Sequence, residues 1–73
     1  MTITINGVEF TEITTNNGPG ILIHDLNDIN HDGDCITSNA FTLPETEEDA
    51  QIMLDGEPWT SCFHIENGVY YFD

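Results

Sequence analysis

A chain of 73 residues has room for one domain with a small core, and this one carries fourteen Asp and Glu side chains with no Lys or Arg, a formal net charge of −14. About an eighth of an ordinary globular chain is Lys or Arg, so chance omission over this length has a probability on the order of 10⁻⁴. Such a surface is repelled by nucleic acid and by anionic membranes, which excludes direct binding to either.

Acidic composition alone suits disorder, but the apolar residues here are patterned, which predicts a folded chain. At the N-terminus, TITINGVEF holds two runs around Asn6-Gly7. Both residues of that dipeptide accept positive φ, the strongest short-range hairpin signal. A two-residue loop pairs Ile5 with Val8 and Ile3 with Phe10 on one face, with Thr2, Thr4 and Glu9 on the other. TTNNGPG (residues 14–20) reads as a loop from its Gly and Pro content. Ile21-Leu22-Ile23 then forms a short middle strand, and the polar segment 24–34 is a connection.

TLPETEEDAQIMLDG (residues 42–56) is the helix. Thr42 and Glu45 make a capping box, Pro44 suits the first turn, and acids gather at the positive end of the dipole. Leu43, Ala50, Met53 and Leu54 form its apolar stripe, and Gly56 ends it. CFHIENGVYYF repeats the hairpin signal at Asn67-Gly68, pairing Ile65 with Tyr70 and Phe63 with Phe72. His64 and Tyr71 fall on its other face. The expected architecture is α+β: a small antiparallel sheet from two such hairpins plus a middle strand, covered by one short helix, over residues 1–73 as a single acidic domain.

Carboxylates at these spacings resemble a phosphate row. Alternate strand residues lie about 6.5–7 Å apart, and helix residues three or four apart about 5–6 Å at Cβ. Phosphates follow one another every ~3.4 Å of axial rise along a strand. Asp25, Asp28, Asp32 and Asp34 line the central connection, while Glu45, Glu48 and Asp49 share one helical face. These seven are the candidate partner contacts. Tyr71, off the core face and rigid, is the candidate aromatic contact, whereas Trp59 and Tyr70 are expected to complete the core.

One motif points elsewhere. Asp28, Asn30, Asp32, Gly33 and Asp34 match the first half of a calcium loop, with oxygen ligands at positions 1, 3 and 5 and Gly at 6. The second half fails, because Asn39 stands where a bidentate Glu belongs. The alternative reading is therefore a calcium-responsive or acid-solubilised protein-interaction domain using Asp28–Asp34. Cys35 and Cys62 are too few for a disulfide framework and read as buried thiols. With His31 and His64 they make no zinc signature. Without a phosphate loop, a nucleophile elbow or any Lys or Arg to stabilise an oxyanion, no enzyme and no cofactor are expected.

In size, acidity and strand-plus-helix layout, the whole chain resembles the phage-encoded DNA-mimic inhibitors, and among them the small acidic anti-CRISPR proteins. No motif defines that class. The resemblance implies a stoichiometric inhibitor that occupies a basic DNA-binding cleft. Its partner would be a multisubunit Cas effector in the host cell cytoplasm, with target DNA or adjacent-motif recognition blocked. With no signal-like or membrane-spanning stretch in the sequence, a cytosolic location is also the default expectation.

Overall fold

The computed structural model describes residues 1–27, 35–37, 42–56 and 59–72, with Trp59 described by its backbone alone. It is a small mixed α+β arrangement of one sheet and one short helix. The strands are β1 (Thr2–Ile5), β2 (Val8–Thr15), β3 (Gly18–Asp25), β4 (Cys35–Thr37), β5 (Trp59–Thr60), β6 (Phe63–Glu66) and β7 (Val69–Phe72), and the helix is α1 (Glu47–Asp55). Six strands run in the order β5-β4-β3-β2-β7-β6, with β1 as a branch on β2.

That branch follows from strand length. β2 has eight residues and β1 four, so one edge of β2 serves two partners. Its Val8–Thr11 half pairs antiparallel with β1, and Thr14 and Thr15 pair parallel with Val69 and Tyr70 of β7. Backbone bonds from Glu12 N–H to the Met1 carbonyl (3.0 Å) and from Asn16 N–H to the Tyr70 carbonyl (2.9 Å) extend the two contacts.

Asn6 and Gly7 turn the chain with φ of 53° and 78°, and Asn67 and Gly68 with 52° and 80°. Those left-handed values suit the right-handed twist of the flanking strands. Ile5 faces Val8 and Ile3 faces Phe10 in the first pair of strands, while Ile65 faces Tyr70 and Phe63 faces Phe72 in the last.

Residues 14–20 are not the loop their composition suggests. They form a third hairpin, in which β2 and β3 pair from Val8↔Asp25 to Thr15↔Gly18 around Asn16-Asn17. The Thr15 hydroxyl accounts for this. It donates to the Gly18 carbonyl (2.7 Å) and accepts from Asn17 N–H (3.1 Å), and Gly18 takes the positive φ of 108°. Among the described residues β4 pairs with β3 at Ile21–Ile23 only, so no described strand calls for a donor from Pro19 on that edge. The sheet also gains β4 and β5, three and two residues long, beyond the two hairpins and middle strand expected.

Period-2 alternation puts Ile3, Ile5, Val8, Phe10, Ile21 and Ile23 on one face. Ala50, Met53 and Leu54 of α1 and Leu43 before it pack on that face, leaving Phe10 and Ile21 wholly buried. The helix begins later than the sequence suggested. Thr46, not Thr42, is the N-cap, and its Oγ1 accepts from Asp49 N–H at 3.1 Å. Both threonines start a Thr-x-x-acid phrase. The earlier register would draw Leu43 and Pro44 into the helix, yet Pro44 is buried and Leu43 packs on the core ahead of it. At the other end, Gly56 adopts an extended conformation and donates its N–H to the Met53 carbonyl (3.4 Å).

Candidate interaction surface

None of the described carboxylates is buried: Glu9 and Asp25 are half-covered, and Glu12, Glu45, Glu47, Glu48, Asp49, Asp55 and Glu66 are exposed. With no Lys or Arg in the chain, only histidine or the terminal amine can offset them. His64 Nε2 lies 3.9 Å from Glu66 Oε1, both side chains more than half exposed, a geometry that contributes little.

The start of α1 is the densest acidic stretch. Glu47, Glu48 and Asp49 occupy its first turn, where the exposed N–H groups and the helix dipole favour negative charge. Glu45 precedes the Thr46 cap and so lies off the helix, which corrects the expectation that Glu45, Glu48 and Asp49 share a helical face. It lines a shallow groove of about 520 Å³ instead, together with Met1, Ile3, Thr42, Leu43, Pro44 and Glu12. Glu12 was missed from sequence, although a signal existed. Val8, Phe10 and Glu12 share one phase of the β2 alternation, and a carboxylate holds the third apolar position. β1 pairs only as far as Thr11, which leaves Glu12 at the rim of the covered face.

Asp25 is elsewhere. It faces Val8, four residues along β2 from Glu12, or about 13 Å at ~3.3 Å per residue. Its Oδ1 accepts from Asn27 N–H (2.9 Å), while Asn27 Nδ2 donates to the Asn6 carbonyl (2.7 Å) and Leu26 N–H to the Gly7 carbonyl (2.8 Å). Asp25 thus locks the chain after β3 against the Asn6-Gly7 turn, a structural role that sequence reasoning did not supply. Asp28, Asp32 and Asp34, together with Asn30 of the calcium alternative, lie outside the described residues, as do His31 and the side chain of Trp59. Among the described residues no group of three His, Cys, Asp or Glu side chains is placed to hold a metal ion.

Tyr71 is half-buried and stacks on His64, with centroids 5.3 Å apart and planes inclined by 12°. One ring face is therefore engaged within the hairpin. On the opposite side of the same hairpin Phe63 and Tyr70 contact each other at 5.6 Å. No disulfide joins Cys35 and Cys62. Cys35 is half-covered, but Cys62 is exposed, contrary to the buried thiol expected. It lies just ahead of β6, where its N–H donates to Thr60 Oγ1 (2.9 Å) and no described element covers it.

Of the described acids, Glu45, Glu47, Glu48 and Asp49 are concentrated at the start of α1, Glu12 lines a groove with Glu45, and Asp25 lies apart at the end of β3. Among the described residues no helix is long and apolar enough to cross a membrane. No protein-family model matches the chain, and no curated protein or solved structure is significantly similar to it.

Proposed function

We propose that the protein is a stoichiometric inhibitor whose carboxylates imitate the phosphate backbone and occupy a basic DNA-binding cleft. The observation that carries this reading is the complete absence of Lys and Arg from a chain with fourteen acids and a patterned apolar core. A neutral scaffold gains solubility and ion pairs from mixed charge. Giving up both leaves strong attraction to a cationic surface as the gain. Binding would draw on electrostatic steering and on release of counterions, and would weaken steeply with salt.

The target in this reading is a multisubunit Cas effector in the host cytoplasm, blocked at target-duplex or adjacent-motif recognition, with no catalytic step. Glu45, Glu48 and Asp49 form the leading contact set, with Glu47 added. Asp25, Asp28, Asp32 and Asp34 form a second set, and Tyr71 gives aromatic contact area. Pairing across the Asn6-Gly7 turn gives the sheet face on which α1, the element that carries Glu48 and Asp49, packs.

Tagged protein incubated with bacterial lysate at roughly 0.1 M salt, where charges still act over ~10 Å, tests the reading. The expected result is one DNA-binding complex, released by excess duplex DNA. A partner retained regardless of DNA, or one that requires added calcium, would replace the mimic reading with the interaction-domain reading.

A further inference from the structure

We propose that the groove between the start of β1 and residues 42–45 is a seat for a single arginine side chain of a basic partner protein. The inference rests on the mimic reading for its partner, but the groove has its own chemistry. Its wall and floor are apolar, with Ile3 from β1 and Leu43 and Pro44 from the lead into α1. Its two acids, Glu12 and Glu45, come from separate elements and are both exposed; the chain has no Lys or Arg to neutralise them, which leaves the amine of Met1 in the lining as the cation beside them. Two carboxylates alone would be an ordinary acidic surface. Set around an apolar trough of about 520 Å³, they match a side chain with an aliphatic stem and a cationic head.

Arginine fits better than lysine. Its planar fork can donate to two carboxylates at once, and its head is more weakly hydrated than an ammonium, so an apolar wall costs it less. Three occupants are excluded by charge. A second copy of this chain has no Arg or Lys to offer, duplex DNA is anionic, and an acidic peptide would be repelled. The groove therefore supplies what a bare row of negative charge lacks: an oriented contact that distinguishes a guanidinium from any other cation.

The test uses N-acetyl-arginine amide as probe and NMR of the Met1, Ile3 and Leu43 methyl groups in the intact chain at low salt. Saturable shifts confined to those methyls are expected, with weaker binding of N-acetyl-lysine amide. Glu12→Gln and Glu45→Gln should each weaken the arginine probe at least fivefold. Glu66→Gln, which removes the same charge at an exposed position outside the groove lining and outside the contact sets, should change it less than twofold. Thermal melts of each variant report folding separately. Equal weakening by all three substitutions, or shifts spread over the whole surface, would overturn the proposal in favour of diffuse attraction. The probe contains no DNA-binding protein, so a failed groove and a failed mimic reading are told apart: duplex-sensitive capture addresses only the second.

Discussion

The β1–β2 and β6–β7 hairpins share a turn sequence, left-handed turn angles and a register, yet differ in what lies over them. In the first, Val8 and Phe10 are 4% and 0% exposed beneath α1. In the second, the corresponding apolar face leaves Ile65 55% exposed, with Phe63, Tyr70 and Phe72 half-covered. Local sequence thus sets the turn and the pairing, while burial depends on whether another element is delivered to that face. The acids follow the same division. Residues 45–49 bring four carboxylates to the element that caps the first hairpin, whereas β6 and β7 carry only Glu66.

The largest expected difference between the hairpins is in side-chain truncation. Phe10→Ala should cost about 3–5 kcal/mol, enough to unfold much of so small a domain, whereas Ile65→Ala should stay within about 0.5 kcal/mol. Urea denaturation of the two variants measures this, and similar losses would mean that the second face is covered too.

The turns offer a finer contrast. A side chain at Gly68 would meet nothing within 4 Å, so Gly68→Ala carries only the cost of its positive φ, about 1 kcal/mol. At Gly7 a Cβ would come within 2.6 Å of Asn27 Nδ2, whose hydrogen bond to Asn6 ties down the chain after β3. Gly7→Ala should therefore cost about 2–3 kcal/mol, strain and lost contact together. Melting of the pair decides it, and equal losses would remove Asn27 from the account.

Removing the α1 cap by Thr46→Ala should cost about 1 kcal/mol, while Thr42→Ala should be nearly neutral as a cap. The reverse order would restore the earlier helix start. The smallest effect concerns charge. Raising salt tenfold should slow amide exchange in α1 by about twofold through screening of its neighbouring acids, and alter β6–β7 less. Uniform slowing would mean that repulsion is spread over the whole surface.

The apolar face of the sheet and the stripe of α1 are legible in the sequence, because each has a period that geometry fixes: Ile3, Ile5, Val8 and Phe10 alternate, and Ala50, Met53 and Leu54 recur at helical spacing. The third hairpin is not, since Gly-Pro-Gly composition signals a loop and the Thr15 hydroxyl that organises the turn leaves no pattern. β4 and β5 are too short to show any period. Two Thr-x-x-acid phrases four residues apart leave the helix start ambiguous, and burial of Pro44 chooses between them. For the candidate surface, sequence identifies the acids at 45, 48 and 49 but not their grouping. Glu12 and Glu45 line one groove through the packing of the lead into α1 beside the sheet, which no local pattern shows.

The most direct test of the central claim is a titration of a purified multisubunit Cas effector complex with this protein, read as loss of target-duplex binding in a mobility-shift assay. The account predicts complete loss at stoichiometric protein. It also predicts partial recovery when Glu45, Glu48 and Asp49 are replaced by Gln, Gln and Asn. Undiminished duplex binding in the presence of excess protein would contradict it.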